Sequence, residues 1–139
     1  MARLVADLLE LAKAGHGKEE GRKEEELLLL LDALRLCLRE PVALQPVEQT
    51  PVLAALMRFI APLTVDPPPT SGSAESNEEV ALVASKCLLN LLHLSSTATA
   101  LFLHDLEGLE WLGLRLWRGG RPSVLLYAVR TLYMLCSSR

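Results

Sequence analysis

The stretch "SKCLLNLLHLSSTATALFLHDLEGLEWLGLRLW", residues 85–117, is mostly leucine and alanine, yet Lys86, Asn90 and His93 interrupt its first half at spacings of four and three. Those spacings place the three polar side chains along one line of a helix surface. A helix that is apolar around the rest of its circumference is buried on most sides. The remaining line meets water or a ligand.

The same arrangement recurs on either side. The helix that ends near Arg39 is apolar except for Asp32, Arg35 and Arg39, and the last helix carries Ser123, Tyr127, Arg130 and Ser137, with Thr131 beside them. In the central helix Glu79 extends the line. Arg35, Lys86 and Arg130 are separated by 51 and 44 positions. Allowing for an insertion in the intervening Pro/Ser-rich stretch, both intervals approach the ~40–47 residues of armadillo and HEAT repeats. A stacked solenoid, in which one helix of each repeat lines a shared inner surface, explains a recurring polar line. An ordinary compact bundle with a solvated stripe is the alternative, and the recurrence at one period favours the solenoid.

Composition agrees with an all-α chain. Half of the 139 residues are hydrophobic and only 4% are aromatic, with leucine dominant and β-branched residues few. The length suits one domain with a genuine core, an armadillo-like segment of about seven helices over residues 1–139. Helices are expected at about 2–14, up to Arg39, from Thr50-Pro51 to about Leu63, from about 78 to Ser95, at about 97–105 and 107–118, and from Pro122 onward. Thr50-Pro51 reads as an N-cap and first-turn pair, and Asn77 or Ser76 as the cap of the next helix, with Glu78 and Glu79 in its first turn. Flexible loops are expected at about 15–24 and 65–77, the second within the Pro/Ser/Gly-rich "DPPPTSGSAESNEE". The "RGGRP" stretch at 118–122 is a turn whose glycines permit left-handed angles.

A formal charge of −3 and no large basic block argue against a nucleic-acid surface and for a protein partner. Cys37, Cys87 and Cys136, an odd number inside apolar helical patterns, read as buried packing residues in a reducing compartment rather than as a disulfide framework. Asp7 and Glu10 break the N-terminal apolar run that a signal peptide needs, and no stretch approaches the ~18 apolar residues of a membrane span. A cytoplasmic protein is expected. His16, His93 and His104 have no ligand spacing, so no metal or cofactor is expected. "GHGKEEGRK" lacks the Ser/Thr of a phosphate loop, and no nucleophile–base motif stands out, so no catalytic residue is assigned. Trp111 and Trp117 are expected to anchor the interface between repeats.

Three blocks then resemble a known family. "ASKCLLNLLHLSSTATALF", residues 84–102, is similar to the "SLKCLCNLV" and "SSPVAQ" pattern of the synembryn family, exchange factors and chaperones of heterotrimeric G-protein α subunits. "YAVRTLYMLCS", residues 127–137, resembles that family's "FDLRLLFLLTA", and "LRLCLREPVALQPVEQTPVLAALMRFI", residues 34–60, its "VRILSRD…LDPF…SLQALA". The blocks fall in the family's order and cover about residues 27–139, its N-terminal part. The chain departs from the pattern at Leu89, where the family has a second cysteine, and at Ala128, where it has an acid.

The resemblance implies an armadillo/HEAT superhelix whose inner surface receives the C-terminal helix of a G-protein α subunit. By motif match, Arg35 and Arg39 fall on the family's paired arginines, Lys86 and Asn90 on its Lys and Asn, and Arg130 on its Arg. These five are the expected protein-binding residues. A generic armadillo/HEAT adaptor for another client is the alternative. Self-association through the exposed face of the last helix is expected as well.

Overall fold

The computed structural model describes residues 20–40, 51–65 and 74–137, together with Arg3, Ala6, Asp7, Glu10 and Val42; the side chains of 20–24 and 74–77 stand outside that description. Among the described residues the structure is all-helical, with six helices and no strand. They are α1 (Glu20–Cys37), α2 (Pro51–Val65), α3 (Ala74–Leu94), α4 (Ser96–Ala100), α5 (Gly108–Arg118) and α6 (Pro122–Ser137). Of the expected helix at 2–14 only Arg3, Ala6, Asp7 and Glu10 are described, each helical, and the cap at Thr50 lies outside the described residues. So do most of the two expected loops.

Where they can be compared, two helices start earlier than the sequence suggested. α1 begins at Glu20, inside the expected loop at 15–24, because Glu, Lys and Arg are good helix formers and Gly21 sits in the tolerant first turn. α3 begins at Ala74, so Asn77 is inside the helix instead of capping it, and Glu78 and Glu79 lie beyond the first turn. α2 runs through Pro62 to Val65, slightly past the expected end.

α3 is the centre of the packing. It lies against α1 on one side and α6 on another, with α2 and α4 packed on it as well; α2 in turn packs on α5, and α5 on α6. The reason is legible in the burial pattern. Leu27, Leu31, Leu34 and Leu38 of α1 recur at helical spacing and are all buried. They meet Val80, Ala84, Cys87, Leu88 and Leu91 of α3 in one core that also holds Leu53, Leu56, Met57 and Ile60 of α2. Each fully buried leucine contributes roughly 2 kcal/mol by transfer from water.

The break between α3 and α4 is a bend of 115°. Ser95 makes it by taking extended angles (φ −137°, ψ 118°) and accepting a 3.1 Å hydrogen bond from the Ala98 amide, a serine N-cap. α4 runs into a π-helical turn, Leu101–Asp105, closed by the Leu106 amide on the Leu101 carbonyl at 3.0 Å. That turn points Phe102 into the core against Gly108, where a Cβ would collide with the ring. Between α5 and α6, Gly119 (φ 75°) and Gly120 (φ 123°) take the angles that side chains resist, as the "RGGRP" reading expected.

Among the described residues no single helix is long and apolar enough to cross a membrane; α3 and the α4 segment would qualify only as a pair, and they are folded back on each other. Several side chains differ from expectation. Trp117 is 87% exposed and anchors no interface, while Trp111 is half-buried. Cys87 is buried, Cys37 half-buried and Cys136 exposed. Thr131, read beside the polar line of α6, is buried. In each case the period placed the residue on a helix face, but a neighbouring helix decides which faces are covered.

Candidate functional site: a basic rim across two helices

α3 packs against both α1 and α6, and the polar lines of α3 and α6 meet at one ring. On the α3–α6 side, Lys86 Nζ stands 5.8 Å from the centroid of the Tyr127 ring, and the Arg130 guanidinium carbon stands 5.3 Å from the same centroid. Both distances are within cation–π range, so one ring gathers two cations from neighbouring helices. Tyr127 and Arg130 are three apart on α6 and therefore share its surface. Among the described residues neither Lys86 nor Arg130 forms an ion pair.

On the α1 side, the thiol of Cys87 donates to the Leu31 carbonyl at 3.2 Å, which fixes α1 against α3 one residue from Lys86. Burial pushes this thiol up to about 12, while the nearby charges of Arg35 and Lys86 pull it down and that of Asp32 pushes it up. Arg35 is not a free cation. Its Nε and Nη2 donate to Asp32 Oδ1 at 2.9 and 2.8 Å, an i,i+3 pair that offsets its charge.

Of the five expected binding residues, Lys86 and Arg130 meet at the Tyr127 ring, while Arg35 stands on α1, paired with Asp32. Asn90 is half-buried one helical turn after Lys86, on the same side of α3. Arg39 lies past the end of α1, exposed in the turn Leu38–Glu40, where its amide donates to the Leu36 carbonyl at 3.3 Å. His93 is exposed near the end of α3. Glu79 leaves the line altogether: its carboxylate holds Arg121 Nη1 at 2.7 Å, at the turn before α6.

The sequence assigned no role to Arg115, and only a first-turn charge to Glu78, yet the two lock the rim's support. Arg115 of α5 is 5% exposed and its Nη2 reaches both carboxylate oxygens of Glu78, at 2.9 and 2.8 Å. Glu78 also accepts the Arg121 amide at 3.1 Å, so the Gly119–Gly120 turn closes around this carboxylate. Arg115 Nη1 and Arg118 Nη1 donate to the Val65 carbonyl at 3.3 and 3.5 Å. Guanidinium donors at a helix C-terminus satisfy an orphan carbonyl and suit the local dipole. A signal for Arg115 exists in the sequence: Gly108, Leu112 and Arg115 fall on one face of α5, and all three are buried.

A second concavity differs in character. Asp105, Leu106, Glu107, Glu110, Trp111 and Leu114 line an open depression of about 400 Å³, acidic where the rim is basic. Among the described residues no group of three His, Cys, Asp or Glu side chains lies placed to hold a metal ion. No protein-family model, curated protein or solved structure matches this chain.

Proposed function

We propose that this protein binds a G-protein α subunit through the Lys86–Tyr127–Arg130 rim, as part of a synembryn-like exchange factor and chaperone. The observation that carries the reading is the shared ring: two unpaired cations from different helices converge on Tyr127. The same Lys and Arg positions are the ones the family blocks single out, and the two arguments are independent.

The packing order supports a solenoid reading. α1, α3 and α6 follow one another in one row, and α2 and α5 in a second, with α2 on α3 and α5 on α6. In an armadillo-like stack, these rows are the inner and outer helices of successive repeats. The inner row then carries the rim.

The chemistry suits the end of a helix. A C-terminal helix presents unpaired carbonyls and a carboxylate, with the negative end of its dipole. Lys86 and Arg130 offer charge-assisted donors to those groups. Tyr127 offers an apolar face beside them, and Asn90 a donor and acceptor for peptide backbone. Arg35, partly neutralised by Asp32, contributes less than the sequence alone suggested. Arg39 contributes at the margin of the rim. Holding the α subunit's last helix couples to its nucleotide site if that helix is displaced, and no catalytic residue or cofactor is needed.

The test is co-precipitation with a purified α subunit, full length and lacking its last helix. The reading expects retention of the full-length subunit and loss of the truncated one. Equal retention of both, or of neither, contradicts it. A generic armadillo/HEAT adaptor keeps the same rim and packing but takes another client, and retention of neither subunit favours it.

A further inference from the structure

Behind the rim, α2, α3, α5 and α6 enclose a small void lined by Thr64, Ser85, Arg115 and Thr131, with Leu88 and Ala128 among its walls. The void offers about 10 Å³ to the centre of a water-sized sphere. The four polar side chains are all buried. Their hydrogen bonding is lopsided. Thr64 Oγ1 donates to the Ala61 carbonyl, Ser85 Oγ to the Ala81 carbonyl and Thr131 Oγ1 to the Tyr127 carbonyl, each at 2.7 Å. Each hydroxyl has therefore spent its single hydrogen and keeps only acceptor lone pairs. Arg115 Nε–H, in contrast, is a buried donor without a partner.

We propose that one water molecule is a fixed part of this fold, bound in that void. It accepts from Arg115 Nε–H and donates its two hydrogens to hydroxyl oxygens among Thr64, Ser85 and Thr131. Only a molecule that both accepts and donates satisfies this set, since the hydroxyls cannot donate further and the guanidinium cannot accept. The space fits a single water, which needs on the order of 10–15 Å³ by this measure and 2–4 polar partners. An apolar filling would leave the buried Nε–H desolvated and without an acceptor.

The position matters for the rim. Ser85 precedes Lys86, Thr131 follows Arg130, and the Thr131 hydroxyl bonds the carbonyl of Tyr127. A water joining Ser85 and Thr131 through Arg115 ties α3 to α6 directly beneath the two cations. The inference stands whatever partner the rim takes.

Nuclear magnetic resonance on the full chain tests it. The Arg115 Hε proton is expected to show a cross-relaxation peak with a long-lived water, of the sign given by residence beyond nanoseconds. The Hε of half-exposed Arg35 serves as the control and shows none. The double variant Ser85→Ala/Thr131→Val leaves the water one hydroxyl acceptor, and the peak disappears. The conservative pair Ser85→Thr/Thr131→Ser keeps the oxygens and the peak. Absence of the peak in the parent overturns the proposal, as does a peak unchanged in the Ala/Val variant. Should that variant not fold, the parent and the conservative pair still decide.

Discussion

Arg115 and Glu78 lie 37 positions apart, and a single guanidinium nitrogen bridges both carboxylate oxygens in a site where Arg115 is almost fully buried. The pair joins α5 to α3 and carries the turn before α6 with it, since Glu78 also holds the Arg121 amide. A buried cation left without its acid is far costlier than either the intact pair or none at all.

Glu78→Ala is therefore expected to destabilise the protein by about 3 kcal/mol in urea unfolding. Glu78→Leu combined with Arg115→Met should cost less than Glu78→Ala alone. If the double variant is the less stable of the two, the penalty does not come from the orphaned guanidinium.

Gly108 faces the Phe102 ring so closely that a methyl group has no room. Gly108→Ala is expected to cost about 1–3 kcal/mol by overpacking, although alanine is the better helix former by about 1 kcal/mol. Phe102→Leu in the same background should relieve part of that loss. A Gly108→Ala variant as stable as the parent would mean that the π-helical turn yields without cost.

Cys87 gives the fold an alkaline limit. Its folded-state value, pushed up to about 12 by burial, exceeds that of an unfolded thiol. An acid with a raised folded value binds more protons folded than unfolded, so its contribution is complete below about pH 9 and is lost as pH rises from there towards 12. The slope approaches 1.4 kcal/mol per pH unit within that window. Cys87→Ala should flatten the decline, at the cost of a small cavity. In thiol titration of the native protein, Cys136 is expected to react first and Cys87 only on unfolding. Fast modification of Cys87 would contradict its burial.

Leu126, Val129 and Tyr133 share one face of α6 and are all exposed, Tyr133 by 73%. An apolar face of this kind is expected to bring two copies together through α6. Sedimentation should show mass rising with concentration, and Val129→Lys/Tyr133→Lys should hold the chain monomeric. A parent that stays monomeric at high concentration removes the expectation.

How far the sequence carried this account depends on the kind of residue. Helices announced themselves through leucine spacing, and the Gly119–Gly120 turn through residue type, because both are local properties. The polar lines holding Lys86 on α3, and Tyr127 and Arg130 on α6, were visible for the same reason. What lay over each face was not. Glu78 and Glu79 read as first-turn charges, yet they bind Arg115 and Arg121 across the fold. Trp117 read as an anchor between repeats, yet it is 87% exposed. Arg35 read as a protein-binding residue, although Asp32, three residues away, was already a partner at helical spacing. Tyr127 stood in the line but was not marked as its centre, since a ring becomes a meeting point only when two helices are brought side by side.

Lys86 and Arg130 are proposed to act together on an acidic helix end. The most direct test is titration of a peptide spanning the α subunit's last helix, at low salt, into the parent and into Lys86→Ala/Arg130→Ala. The double variant is expected to lose at least tenfold in affinity, about 1.4 kcal/mol, and binding to the parent to weaken as salt is raised. Equal affinity of parent and variant, or binding indifferent to salt, would contradict it.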